Sequence, residues 1–188
     1  MNKDTILIVD DEPSVLSSLY RSLRSEPWEV LTELSGEQAL VRLGERPIKV
    51  VISDERMAKM QGTEFLAVAR ALYPQTVRIM LTGHASLESA ISVINNGGIF
   101  RFLTKPWNDD DIKQVVREAL LKYDREQAVL DAIKSLDDRP DLLPHIEKKY
   151  PGISKFILDK QCAELLSSLS DGDLAELLHL LEPGDKVS

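Results

Sequence analysis

The chain has 188 residues, which is enough for one domain with a full hydrophobic core plus an appendage, or for two small domains. Hydrophobic residues make up 43% of it and charged residues 29%, a composition that excludes a disordered chain and predicts a globular one. The net charge of −8 is divided unevenly, with −2 on residues 1–123 and −6 on residues 124–188, so the second part is poorly suited to binding nucleic acid.

Five short apolar runs rich in β-branched residues predict β-strands at residues 6–9, 30–31, 50–52, 77–81 and 99–103. The segments between them have the apolar spacing of amphipathic helices. The fourth such segment carries Leu87, Ala90, Ile91 and Ile94 on one face and ends at a stop signal in residues 95–98. The strand–helix unit repeated five times predicts an α/β domain with a parallel sheet and helices on both faces. Function is then expected at the carboxyl ends of the strands.

Polar side chains stand at the ends of four of the five predicted strands. They are Asp10 and Asp11, Asp54, Thr82 and Lys105. Each alone would be an ordinary turn or capping residue. If the first and third strands are neighbours, however, three carboxylates converge, and each close pair repels by roughly 4 kcal/mol at an effective dielectric constant of about 20. The cluster therefore predicts a hard divalent cation, Mg²⁺, with the Lys105 ammonium as a second source of positive charge.

This group of side chains indicates phosphoryl transfer. A carboxylate held beside Mg²⁺ and lysine can attack phosphorus and form an aspartyl phosphate. Mg²⁺, Lys105 and the Thr82 hydroxyl would then meet the charge on the transferring group, so the chemistry needs no general base.

The strand-end motifs resemble those of the CheY-like receiver family of response regulators. The matching segments are Asp10-Asp11, Val51-Ile52-Ser53-Asp54, Leu81-Thr82-Gly83 and Leu103-Thr104-Lys105-Pro106. The resemblance covers residues 1–123, the predicted receiver domain, and does not extend to residues 124–188, which are called the tail below. It implies a flavodoxin-like fold of five parallel strands in the order 2-1-3-4-5, with a sensor histidine kinase as phosphodonor.

The resemblance also assigns the phosphoacceptor and the metal ligands. It implies Asp54 as the phosphoacceptor, and Asp11 and Asp54 as direct Mg²⁺ ligands. Asp10 would act on the metal largely through water, and the backbone carbonyl of Arg56 would be a further ligand.

The same resemblance implies a switch. Thr82 and Lys105 would sense the phosphoryl group, and a cis peptide bond is expected before Pro106. Phe102 occupies the aromatic switch position, where tyrosine is frequent; simple core packing is the alternative for this side chain.

Four positions near the site depart from the common pattern of the family or bear on the lifetime of the phosphoryl group. Ala58 stands where proline is usual, and Gln61 replaces the acidic residue before the glycine matched by Gly62. Neither change removes a charge that phosphoryl transfer needs, so we expect altered loop stiffness and retained chemistry. Arg56 and His84 lie two residues beyond Asp54 and Thr82, where they would flank the path of a hydrolytic water; for His84, a surface or packing role is the alternative.

The last predicted receiver helix begins around Asn108 and continues past the end of the receiver. Its pattern has no stop before Arg139-Pro140, so residues 124–138 are predicted to extend it beyond the sheet. The apolar positions within residues 112–138 approximate a 3.5-residue repeat, which suits a two-helix coil between protomers as well as a helix packed on its own tail.

Residues 139–188 are predicted to form a small helical region, with helices at 153–169 and 171–181. Such a short region buries too little surface to be stable alone, so we expect it to dock on another receiver, a protein partner or a further domain. It would be the output, a dimerisation element or the remnant of a longer protein's output domain.

The remaining sequence signals concern compartment and metals. The single cysteine, Cys162, excludes an intrachain disulfide, and the scattered histidines show no metal-ligand spacing. No apolar run approaches the roughly 20 residues that span a bilayer. We expect a cytoplasmic protein with no membrane partner.

The leading interpretation is a response regulator of a two-component system. Phosphorylation of Asp54 would change the surface of the predicted fourth helix, fifth strand and fifth helix, and the tail would convert this into dimerisation or binding of a protein partner. No output catalysis is expected: residues 100–110 are similar to receivers tethered to cyclic-di-GMP phosphodiesterases, but the tail lacks the His-Asp dyads of those enzymes.

Two other functions are weighed against this one. A Mg²⁺-dependent aspartyl phosphohydrolase usually has its aspartates as Asp-x-Asp, whereas Asp10 and Asp11 are adjacent. A DNA-binding transcriptional regulator is disfavoured by the charge of the tail, and no nucleic-acid partner is expected.

Overall fold

The structure, a computed structural model, describes residues 3–83, 98–137, 143–152 and 170–181. Its strands are β1 (Thr5–Val9), β2 (Glu29–Glu33), β3 (Val50–Asp54), β4 (Val77–Thr82) and β5 (Arg101–Thr104). The described helices are α1 (Pro13–Leu23), α2 (Gly36–Glu45), α3 (Gly62–Leu72), α4 (Asp109–Asp137), α5 (Leu143–Lys149) and α6 (Asp171–Leu181). The predicted fourth receiver helix falls in residues 84–97, outside the described residues, so α4 here is the helix that the sequence predicts as the fifth.

The five strands form one parallel sheet in the order β2-β1-β3-β4-β5. This confirms the predicted flavodoxin-like α/β fold. In register, Val9 lies opposite Ser53, and Asp54 lies opposite Leu81. The ends of β1, β3 and β4 therefore meet at one edge of the sheet, which is the edge that carries the predicted site.

Alternate strand residues pack into two hydrophobic clusters, one on each face of the sheet. In β1, Ile6 and Ile8 join the cluster formed with α1 and α4, whereas Leu7 and Val9 join the cluster formed with α2 and α3. Strands covered on both faces read as continuous apolar runs, which is why the sequence predicts them so clearly. Burial of each large apolar side chain contributes about 1.5–3 kcal/mol relative to its exposure.

The boundaries of the last strand differ from the prediction. The apolar run covers residues 99–103, whereas β5 covers Arg101–Thr104. Ile99 and Phe100 are partly buried against the two hydrophobic clusters, so their apolar character reflects packing more than strand pairing. One backbone bond, from Phe100 N–H to the Arg78 carbonyl at 2.7 Å, does continue the pairing upstream of the strand.

Local signals fix the starts of the helices. Pro13 occupies the first turn of α1, where its missing N–H costs nothing. The Ser35 hydroxyl accepts a hydrogen bond from Gln38 N–H at the start of α2. At the start of α4, the Asn108 side chain accepts from Asp110 N–H at 2.8 Å and so caps the helix where its start was predicted.

The chain divides into two compact units, Met1–Tyr123 and Asp124–Ser188. In the second unit, α6 has the predicted bounds, while the predicted helix at 153–169 lies outside the described residues. No helix in the described part of the chain is long and apolar enough to cross a membrane.

Contacts within the second unit join α5 to α6. Lys149 pairs with Glu176, and the Tyr150 hydroxyl donates to the Glu176 carboxylate at 3.0 Å. Ile146 and Leu177 are buried. In the described part of the tail, polar contacts therefore join α5 to α6, and each of these helices has a buried apolar side chain.

Candidate functional site

Three carboxylates converge at the carboxyl ends of neighbouring strands β1 and β3. Asp10 and Asp11 follow β1, Asp54 is the last residue of β3, and one ligand atom from each lies within 4.8 Å of the others. Asp10 and Asp54 are buried, and Asp11 is the more exposed of the three. The convergence follows from the strand order, because β1 and β3 are adjacent although α1, β2 and α2 separate them in sequence.

Lys105 reaches this cluster from the end of β5. Its ammonium group donates to Asp10 Oδ2 at 2.8 Å and lies 2.6 Å from Asp54 Oδ1. The peptide bond from Lys105 to Pro106 is cis, as the family resemblance implies. One ammonium group thus bridges two of the three carboxylates.

The charges of the cluster are not balanced by Lys105 alone. Burial raises the pKa of Asp10 above its ordinary value, although the bonds from Lys105 and from Glu12 N–H act to lower it. Burial acts to lower the pKa of Lys105, but its bonds to Asp10 and Asp54 outweigh burial, and the pKa lies above the ordinary lysine value. The ionised site therefore carries excess negative charge in a sparsely hydrated place.

The donor set fits a hard divalent cation. Mg²⁺ takes carboxylate oxygens and water as ligands, and three carboxylates with a single bridging ammonium leave negative charge for it to offset. Asp11 and Asp54 would hold the ion directly, and Asp10 through water. Arg56 lies in the loop that follows β3, and its N–H donates to Asp54 Oδ2 at 3.0 Å. The role of its carbonyl as a metal ligand stays a prediction.

Asp10→Asn is expected to stabilise the metal-free protein at about pH 7, because burial of the ionised Asp10 carboxylate costs free energy. A carboxyl whose pKa is raised by folding contributes stability below its unfolded pKa and loses it as the pH rises through the folded pKa. Asparagine imitates the protonated form, so its advantage should shrink as the pH falls toward 3.8. Urea unfolding of both proteins with EDTA measures this. A less stable variant at neutral pH would mean that the Lys105 bond outweighs burial.

The other predicted site residues lie around the cluster with different partners. Thr82 is buried at the end of β4, and its hydroxyl donates to the Glu55 carboxylate. Phe102 is half-buried in β5 and packs against the cluster formed with α2 and α3. The Arg56 side chain is exposed, and His84 lies outside the described residues.

Three contacts that involve the backbone account for loop residues that sequence patterns alone leave unexplained. Ala58 N–H donates to Asp11 Oδ2 at 2.8 Å, a bond that proline, the usual residue here in the family, is unable to make. A Cβ on Gly62 would lie 1.8 Å from the Asp54 carbonyl oxygen, so α3 starts against the Asp54 backbone. Gln61 turns its side-chain amide to the Met57 carbonyl at 2.9 Å, within the same loop.

Sequence reasoning missed Glu55. Its only signal is its position directly after Asp54, which does not reveal that its side chain turns across to β4 and Thr82. The pairing of Asp54 with Leu81 places Glu55 and Thr82, the next residues along the two strands, side by side, so the sheet register makes the contact possible.

A doubly wound parallel sheet with an acidic cluster and a lysine at its carboxyl edge is the arrangement that the resemblance to receivers implies. The family model described as response regulator receiver domain matches residues 6–117, more than half of the chain. The chain belongs to this family.

Relatives agree over the same region. The hydrogenase transcriptional regulatory protein HoxA of Cupriavidus necator is 37% identical over 116 residues, which are 62% of this chain and 24% of HoxA. The signal receiver domain of an HD domain-containing protein from Pseudomonas fluorescens has 34% identity and a TM-score of 0.62, covering 65% of this chain and 98% of that one. An adenylate cyclase structure from Rhodopirellula baltica has 37% identity and a TM-score of 0.66, covering 71% and 98%.

The chain spans about a quarter of the length of the curated relatives it matches. The similarity to those proteins therefore concerns their receiver domains.

Proposed function

We propose that this receiver domain takes a phosphoryl group from a sensor histidine kinase onto Asp54 and uses it as a switch. The observation that carries the proposal is the Asp54 carboxylate, buried beside two further carboxylates and 2.6 Å from Lys105. A cluster of buried carboxylates lowers the stability of a protein, and such clusters are therefore typical of functional sites. Membership of the receiver family supplies the function in this case.

The transfer exchanges one bond for another. An Asp54 carboxylate oxygen bonds to phosphorus while the phosphorus–nitrogen bond to the kinase histidine breaks, and the imidazole nitrogen keeps the electron pair and takes up a proton. Lys105 is placed to offset the negative charge on the oxygens of the transferring group. Bound Mg²⁺ would supply further positive charge to those oxygens. Hydrolysis later returns the carboxylate and inorganic phosphate, so the chain turns over only its own phosphoryl group.

A small phosphodonor tests this step without the cognate kinase. The chain is incubated with acetyl phosphate and Mg²⁺, or with acetyl phosphate and EDTA, and its intact mass is measured. One added phosphoryl group is expected with Mg²⁺ and none with EDTA. Absence of uptake in Mg²⁺ would contradict the proposed function, and equal uptake in EDTA would contradict the metal requirement.

The output is proposed to be a protein contact made through the tail. Residues 124–188 carry a charge of −6, which opposes binding to phosphate backbones. HoxA and GlrR, by their names, are transcriptional regulatory proteins, so a DNA-binding output is the second candidate. Their match to this chain covers about 115 residues and does not extend to an output region. Duplex binding that weakens with salt, measured on this chain, would favour that second candidate.

Regulated self-association is the simplest form of the proposed output. Residues 112–138 were predicted to form this contact, but Ile112, Val116 and Ala119 are buried in the receiver's own core. The contact between protomers would therefore be formed by the later part of α4, residues 124–137, together with the C-terminal helices. Light scattering of the full chain with the phosphoryl mimic beryllofluoride and Mg²⁺ is expected to show a molar mass that rises toward that of a dimer. An unchanged molar mass would remove regulated dimerisation and leave a separate protein partner.

A further inference from the structure

The Glu55 side chain holds the hydroxyl group on which the proposed switch depends. Thr82 is 3% exposed, so its hydroxyl has little access to water and needs a protein acceptor. The Glu55 carboxylate is that acceptor. A carboxylate acceptor makes a charge-assisted bond that is stronger than one between neutral groups.

The backbone of Glu55 is fixed at both of its polar groups. Its N–H donates to the Leu81 carbonyl at 2.9 Å, and its carbonyl accepts from Gly62 N–H at 2.9 Å. Glu55 is therefore anchored to the end of β4 and to the start of α3. Its half-buried side chain has a short, well-defined route to Thr82.

A hydroxyl group carries one proton and donates one hydrogen bond at a time. On the proposed function, that proton is needed by an oxygen of the phosphoryl group on Asp54. In the structure it is already donated to Glu55. Glu55 and the phosphoryl group therefore compete for the same proton.

We propose that Glu55 is a positioning residue that latches Thr82 in the unphosphorylated arrangement and so sets the activation equilibrium of the switch. This inference rests on the proposed function of Asp54 and names the residue that opposes it. Phosphorylation must break the Glu55 bond before Thr82 can turn to the phosphoryl group. The latch lowers the fraction of active protein at a given level of phosphoryl mimic.

Titration of the full chain with beryllofluoride in Mg²⁺, followed by the ¹⁹F NMR signal of bound fluoride, measures the latch. Glu55→Ala is expected to lower the half-saturating concentration by about tenfold, which corresponds to about 1.4 kcal/mol. Glu55→Gln keeps a side-chain acceptor without the charge, so its gain should be smaller, about threefold. Circular dichroism checks that each variant is folded. If Glu55→Ala is unfolded, the measurement on Glu55→Gln tests the latch instead.

A second pair of proteins separates the latch from the charge of Glu55. In a Thr82→Ala background there is no hydroxyl to hold, so Glu55→Ala is expected to give no gain. The latch would be overturned if Glu55→Ala gave the same tenfold gain in affinity for beryllofluoride in the Thr82→Ala background. It would also be overturned if Glu55→Ala gave no gain in the otherwise unaltered chain. Failure of the unaltered chain to bind beryllofluoride at all would instead overturn the proposed function of Asp54.

Discussion

Asp54→Asn is expected to take up no phosphoryl group from acetyl phosphate in Mg²⁺, under conditions in which the unaltered chain takes up one. The amide has nearly the shape of the carboxylate and can still accept the bond from Arg56 N–H, so the loop should keep its form. It lacks the negative oxygen that attacks phosphorus, and it leaves Lys105 with Asp10 as its remaining carboxylate partner at this site. Intact mass measurement gives the result directly.

Asp4→Asn is the matched control for this substitution. Asp4 precedes β1, at the opposite end of the strand from the acidic cluster, and pairs with Lys49 at 2.7 Å. The same change of charge there should leave phosphoryl uptake intact. Uptake of one group by Asp54→Asn would show that another side chain is the acceptor.

The sheet could be predicted from the sequence because its strands are covered on both faces. The runs at residues 6–9 and 50–52 are buried throughout, and burial on both faces permits few residue types there. The last strand was predicted less well. Arg101 and Thr104 are exposed, so β5 lacks the uniform burial that gives a strand a continuous apolar run. The neighbouring Phe100 is apolar because it packs against the core, and it extends the apolar run beyond the strand.

The acidic cluster could be predicted because it lies at strand ends that any parallel sheet brings together. The interactions of the loops could not. The bond from Ala58 to Asp11 and the bond from Thr82 to Glu55 depend on loop backbone and rotamers, which leave no periodic signal in the sequence. Glu55 in particular looks like any exposed acidic residue until the register of β3 against β4 is known.

Gly62→Ala is expected to destabilise the receiver by about 3 kcal/mol, because the new methyl group would lie 1.8 Å from the Asp54 carbonyl oxygen. Neither partner is free to move. Asp54 ends β3 in register with Leu81, and Gly62 N–H is bonded to the Glu55 carbonyl. Urea unfolding measures the loss. Any relief of the contact must shift the Asp54 backbone, so phosphoryl uptake should also slow, because small displacements of a nucleophile cost large factors in rate.

Gly83→Ala tests whether the loss of stability in Gly62→Ala comes from a steric clash or from the loss of backbone freedom that any glycine substitution causes. Gly83 follows β4 at the same edge of the sheet, and a Cβ there meets no atom of the described residues within 4 Å. Its substitution should change the free energy of unfolding by no more than about 0.5 kcal/mol. Equal losses at the two positions would mean that backbone freedom, and not the approach of α3 to Asp54, accounts for Gly62. A large loss at Gly62 alone, together with slowed phosphoryl uptake, would show that the start of α3 fixes the position of Asp54.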